Sequence, residues 1–262
     1  MISVTIKKIG VVAQGIGNWQ EATALLQSEA DYQGGELPPL KPSMLKPNER
    51  RRTTRTIKIA LQAAEEALQD LTGTETLASV FSSSEGDLDI IDQICLALTE
   101  EGRPVSPTQF HNSVHNAPAG YWSIGAGSRQ GSSSLGGLNG SFAAGLMEAA
   151  VQAVVERVPV LLVCYDQPPP ELLQPFMPIG EPFSIAMLLT AESERGIARL
   201  NLSTVPDGEE SRMSKPALET LRLSAPSARS LPILQAIAQS HAANITLTYL
   251  PGLNLQSELL PC

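Results

Sequence analysis

Residues 125–166 read GAGSRQGSSSLGGLNGSFAAGLMEAAVQAVVERVPVLLVCYD, and three kinds of patterning follow one another along them. Gly125 to Gly140 is rich in Gly and Ser, which favours turns. Ser141 to Val155 carries Ala, Leu, Met and Val at helical spacing and is expected as an amphipathic helix. Val158 to Tyr165 is an apolar run of strand length closed by Pro168 to Pro170, as a buried strand would be. A turn, a helix and a buried strand in this order indicate an α/β layered domain. In an enzyme of that kind the turn ahead of the helix is where a nucleophile would sit. Here it offers Asn139, Gly140 and Ser141 ahead of Phe142, and no Cys.

Outward from this unit the alternation continues. Ile2 to Val12 has strand character, and Ile57, Leu61, Ala64, Leu68 and Leu71 predict one helix over Asn48 to Leu71. Leu77 to Ser83 suits a buried strand. Leu88, Ile91, Ile94, Cys95 and Leu98 form a helical stripe closed by Gly102 and Pro104. Strands are expected at Phe183 to Thr190 and Ala198 to Val205. A βαβαβ run finishing in two adjacent strands predicts a mixed sheet. Pro206 to Ser230 is polar and reads as a loop or linker, leaving Leu231 to Ala242 as a helix and Asn244 to Leu250 as a strand. The organisation expected is residues 1–205 as the main unit and 206–262 as a linker with a short remnant.

Ser106 to Gly125, SPTQFHNSVHNAPAGYWSIG, gathers two His, two Asn, a Trp and a Tyr around Pro-Ala-Gly, a density that marks a site or an interface. His111 and His115 are four apart, but Asn112 stands where HExxH would need its Glu, and no third ligand is near. A Ser hydrolase could draw on Ser132, Ser133, Ser134 or Ser141, though GxSxG does not occur. The glycines at 125, 127 and 131 give GxGxxxG, not the dinucleotide spacing. No cofactor or metal is expected.

The 262 residues suffice for a substantial core, burying roughly three quarters of the unfolded surface. A net charge of −9 argues against a nucleic-acid partner. Cys95, Cys164 and Cys262 are too scattered for a disulfide framework, which points to a reducing cytoplasm. The N-terminus has no signal-peptide pattern, and runs such as Val158 to Cys164 and Ile185 to Thr190 fall far short of the ~18 residues of a membrane span. Within this acidic chain, Lys41, Lys46, Arg50, Arg51, Arg52, Arg55 and Lys58 cluster against Glu49 alone. Such a patch fits an acidic partner or a phosphate, or equally a solvated first helical turn.

Asn116, Gly120, Gly127 and Arg129, followed by a small-residue turn and an Ala-rich helix, resemble the N-terminal half of β-ketoacyl synthases. SVHNAPAGYWSI, SFAAGLMEA, ERRRT and VLLVCYDQP are more closely similar to the short ketosynthase-like chain length factors of aryl polyene clusters, over roughly Met1 to Thr190. The resemblance implies a thiolase-like fold, one near-complete βαβαβαββ half with a truncated C-terminal half.

It also implies roles. An ungapped register on those four residues puts Asn139 where a synthase has its acyl-accepting Cys, with Ser141 the occupant if the register shifts by two. Asn cannot form a thioester. Synthases also use two His from their second half, whereas His241, on an expected amphipathic helix, is the one His after Asp166. By resemblance the chain is a non-catalytic partner of an active β-ketoacyl-ACP synthase. The loop Ser106 to Tyr121 would cross the dimer axis, and Gln109, Phe110, His111, Val114 and His115 would floor the partner's acyl tunnel. Asn116, Tyr121, Trp122, Ser141 and Phe142 would complete the tunnel and interface. Arg50, Arg51, Arg52, Arg55 and Lys58 would dock an acidic acyl carrier protein. A stand-alone acyltransferase or hydrolase and a purely structural assembly subunit remain the alternatives.

Overall fold

The computed structural model describes residues 1–28, 30–191, 195–206 and 208–262. In chain order the elements are β1 (Ile2–Ala13), α1 (Trp19–Gln27), α2 (Pro47–Arg52), α3 (Arg55–Ala67), β2 (Ala78–Ser82), α4 (Leu88–Thr99), α5 (Pro107–Asn112) and α6 (Ala117–Ala126). Then come β3 (Ser132–Leu135), α7 (Ser141–Val155), β4 (Val160–Asp166), β5 (Phe183–Ala191), β6 (Ala198–Pro206), α8 (Pro216–Ser224), α9 (Leu231–Ala238), β7 (Ala243–Leu250) and β8 (Leu253–Pro261).

The strands form one sheet in the order β3-β2-β4-β5-β1-β6-β8-β7. β2 runs parallel to β3 and β4, and the other pairings are antiparallel. β4 shows why its sequence is continuously apolar: Val160, Leu162 and Cys164 enter one core layer, and Leu161, Val163 and Tyr165 the other. A strand buried on both faces has no solvent side on which to place polar residues. α7 covers the first layer through Phe142, Leu146 and Ala149, and α3 and α6 cover the second through Ile57, Leu61 and Trp122. Two helix contacts with the sheet demand glycine. A Cβ at Gly145 would lie 2.8 Å from the Ser82 Cβ, and one at Gly140 would lie 2.0 Å from the Tyr249 carbonyl oxygen.

Several expectations are corrected. The single helix expected over Asn48 to Leu71 is two. Thr53 is extended and hydrogen-bonds its hydroxyl to the Arg50 carbonyl, while the Thr54 hydroxyl accepts from the Ile57 N–H and caps α3. Such local side-chain bonds compete with helix continuation. The Ser106 to Tyr121 loop is α5 and the first half of α6, and the turn before α7 contains the short strand β3.

The polar Pro206 to Ser230 segment is not an unstructured linker. It forms α8 and a 3₁₀ turn at Pro226–Ser230, because Leu218 and Leu221 are buried and Arg222 is held by Glu219 at 2.8 Å and Glu210 at 2.9 Å. β8, unrecognised in the sequence, pairs with β6, so the sheet runs on past residue 205. His241 is exposed beyond the end of α9, not on a helix face.

Leu138–Val155 is long and apolar enough to cross a bilayer, unlike the shorter runs noted above. It is the turn and core helix of α7, and half of the window is buried.

Candidate functional site

α5 and α6 form a corner beside the edge strand β3. Pro107 and Pro118 open the two helices, where a missing N–H costs nothing, and Gly127 ends α6 at φ 67°, a left-handed conformation glycine adopts freely. The corner is knitted by Asn112, which is 2% exposed. Its Nδ2 donates to the Arg52 carbonyl at 2.7 Å, closing an open carbonyl at the end of α2, and its Oδ1 accepts from the Tyr121 hydroxyl at 3.1 Å. The His111 ring meets Tyr121 edge-on at 6.1 Å.

On its outer side the corner bears a groove of about 410 Å³ lined by Phe110, His111, Val114, Asn116, Tyr121 and Ile124, among others. Phe110 is 68% exposed, Val114 51% and Ile124 61%, an apolar concentration that the chain itself does not cover. Asn116 also lines a neighbouring hollow with Ser132 and Ser134 of β3. β3 is the end strand of the sheet and is paired on one side only, by β2. Unpaired edge groups are a template for another chain. The opposite edge is partly covered: Ser211 donates its N–H to the Thr246 carbonyl and accepts from the Thr246 N–H.

The structure brings together only part of the expected site. Phe110, His111, Val114, Asn116 and Tyr121 share the groove. Gln109 does not line it, donating instead to Gln93 of α4 at 2.8 Å. His115 points inward, its Nε2 3.2 Å from the Ser83 carbonyl oxygen. Trp122 is 1% exposed in the core layer beneath α6, and Phe142 lies in the other layer across the sheet. The two histidines therefore serve separate neighbours. Among the described residues no three His, Cys, Asp or Glu side chains are grouped to hold a metal.

At the start of α7, Leu138–Gly140 forms a 3₁₀ turn in which Leu138 has φ 50° and Asn139 is exposed. Ser141 is buried, with its hydroxyl accepting from the Gly137 N–H at 3.0 Å and donating to the Leu138 carbonyl at 2.7 Å. That hydroxyl is committed to holding the turn. Cys164 is buried in mid-sheet, and burial, then the nearby Asp166, raise its thiol well above the usual range. It is correspondingly inert.

The basic cluster borders the corner through the Arg52–Asn112 bond. Part of its charge is engaged locally: Arg50 donates to the Pro42 carbonyl, Arg51 to Asn48, and Arg52 lies 3.7 Å from Glu49. Arg51, Arg52 and Arg55 remain exposed, while Arg50 and Lys58 are half-buried.

Sequence reading missed Asn112 and the edge strand. Asn112 sits between two histidines that draw attention by type, and no local signal distinguishes its role. It missed Asp166 as well, which ends β4 fully buried and accepts from the Ser84 and Ser227 N–H groups at 2.9 and 2.6 Å. The signal was present, since an Asp closing an apolar run must have found donors.

A mixed sheet whose β2-β4-β5-β1 part is covered on both faces, with a core helix launched from a tight turn onto it, fits the thiolase-like class of ketosynthase folds. The chain belongs to the β-ketoacyl synthase N-terminal domain family, whose model matches residues 18–248. Solved structures agree in fold. A chain of the ketosynthase ApeO in complex with its chain length factor ApeC from Xenorhabdus doucetiae matches with a TM-score of 0.76 at 21% identity, covering 98% of this chain and 100% of that one. The ishigamide ketosynthase/chain length factor matches at 0.79 and 14% identity, over 99% of both chains. The AntDE:AntF complex, of a type II PKS acyl-carrier protein with its ketosynthase bound to the hexaketide, matches at 0.76 and 11% identity over 100% of this chain and 99% of that one. No curated protein matches the chain.

Proposed function

We propose that the chain is the non-catalytic chain length factor subunit of a β-ketoacyl-ACP synthase complex, working in the cytoplasm in polyene or polyketide-type biosynthesis. The observation that carries this reading is the start of α7. The turn there exposes Asn139 and no thiol, and the hydroxyl of Ser141, which opens the helix, is tied to two backbone groups. An amide has no thiolate form, so acyl transfer to this chain has no acceptor at that position. The same bonds weigh against a Ser hydrolase, since an attacking Ser needs its hydroxyl hydrogen-bonded to a base.

The surface supports a partner role. Edge strand β3 offers unpaired backbone groups, and the groove beside it presents Phe110, Val114 and Ile124. An active synthase docked there would pair with the edge and bury the apolar residues, and the groove would become a wall of its acyl tunnel. Two of the similar structures are ketosynthase and chain length factor pairs. The exposed arginines 51, 52 and 55 would attract an acidic carrier protein to the same face.

Co-expression with an active β-ketoacyl-ACP synthase of the polyene type, followed by size-exclusion chromatography and mass determination, tests the reading. The expected product is a one-to-one heterodimer whose condensing activity is lost with the partner's Cys and kept in Asn139→Ala. Phe110→Ala or His111→Ala should lengthen or blur the products. A monomer or homodimer that turns over an acyl thioester unaided would overturn the proposal. An assembled complex with unaltered products would leave only a structural subunit.

A further inference from the structure

Beneath the α5–α6 corner, with Val114 between it and the groove, lies a small cavity whose wall includes Asp87, Tyr165, Thr56, Gly86 and His115. Its room is about 10 Å³, close to that of one water-sized sphere. Two buried polar atoms belong to this wall. Asp87 caps α4, its Oδ1 accepting from the Ile90 N–H at 3.2 Å, but its Oδ2 is buried without a hydrogen-bond partner among the described residues. Tyr165, near the end of β4 and 0% exposed, likewise has no partner for its hydroxyl among the described residues.

A buried carboxylate oxygen and a buried phenol left unpaired are each costly, and native structures rarely keep two beside one cavity. They do not bond to each other, yet their chemistry is complementary: the phenol hydroxyl can donate, and the carboxylate oxygen can only accept. We propose that this cavity is a specific water site, in which one water donates to Asp87 Oδ2 and accepts from the Tyr165 hydroxyl. Thr56 and His115 on the same wall supply further polar atoms, in keeping with the two to four partners that a buried water makes. Burial, and then the charge of Asp166, push the Tyr165 hydroxyl far up from its ordinary value, so it stays a donor throughout the neutral range.

The water joins the end of β4 to the cap of α4. That helix has Ile90 as its one buried residue, so it is anchored mainly through its first turn. The inference is independent of the proposed synthase partner, and its readouts need none.

The test is a crystal structure of the full chain fine enough to place waters, with Tyr165→Phe and Asp87→Asn alongside. An ordered peak within about 2.6–3.2 Å of both oxygens is expected. Tyr165→Phe should weaken that peak and lower Tm by about 2–10 °C. Direct contact between Tyr165 Oη and Asp87 Oδ2, or a Tyr165→Phe Tm within 1 °C of wild type, would overturn it. If Tyr165→Phe does not fold, Asp87→Asn keeps the cap oxygen but presents an amide to the cavity. Hydrogen exchange at Ile90 and Ile91 should then quicken, and unchanged exchange would equally refute the site.

Discussion

Asn112→Ala isolates the bond that holds the groove to the basic helix. Asn112 is 2% exposed and makes two hydrogen bonds, donating to the Arg52 carbonyl at 2.7 Å and accepting from the Tyr121 hydroxyl at 3.1 Å. Each is worth about 0.5–1.5 kcal/mol net, and deletion also strands a buried phenol and a carbonyl at the end of α2, so the sum is about 2–4 kcal/mol. For a chain of this length a kcal/mol corresponds to about 2–4 °C, which places the loss of Tm at roughly 5–15 °C by circular dichroism. Asn112→Asp keeps the acceptor for Tyr121 but turns a buried carboxylate oxygen on the Arg52 carbonyl, so at neutral pH it should cost at least as much as Ala. A Tm for Asn112→Ala within 2 °C of wild type would refute the assignment of Asn112 as the tie between α2, α5 and α6.

Gly140→Ala should prevent stable folding, because its Cβ would stand 2.0 Å from the Tyr249 carbonyl oxygen and neither backbone can retreat cheaply; soluble yield and Tm report it. Phe110→Ala, at a side chain 68% exposed, should change stability by less than about 0.5 kcal/mol in urea unfolding while reducing self-association of the isolated chain in light scattering. Glu219 is held below its ordinary value of 4.5, first by its hydrogen bond from Arg222. A carboxylate whose folded value is depressed adds stability above its unfolded value and loses it as pH falls through the folded one. Stability should therefore decline on acidification below about 4.5, and Arg222→Met, though less stable at neutral pH, should lose less over the same range, as denaturant titrations at several pH values would read.

The strands and helices visible in the sequence are those whose pattern is complete within one segment. β4 is buried on both faces and therefore apolar at every position from Val160 to Tyr165, and α7 begins at Ser141 and ends at Val155 as its spacing predicts. β3 was hidden because its Ser132–Leu135 carries no such pattern and becomes a strand only by pairing with β2, about fifty residues earlier. β8 was hidden similarly, since Leu253–Pro261 alternates with Asn, Gln and Glu and owes its place to β6 and β7. α4 reads as an ordinary amphipathic helix, yet Ile91 is 39% exposed, Leu96 55% and Leu98 50%; periodicity states that a face is apolar, not that anything covers it.

For the candidate site the division is the same. Residue types alone carried the family resemblance, the missing thiol ahead of α7 and the crowding of polar and aromatic groups at 106–125, because chemistry belongs to side chains wherever they sit. Which of those groups share a surface was decided by tertiary structure. α6 turns Tyr121 and Ile124 toward the groove and Trp122 toward the core, His115 leaves His111 for the Ser83 carbonyl, and Asn112 closes the corner against Arg52. These placements follow from the rotation of each helix about its axis and from contacts between segments far apart in the chain. No local pattern encodes either, since both are set only when the two layers pack against the sheet.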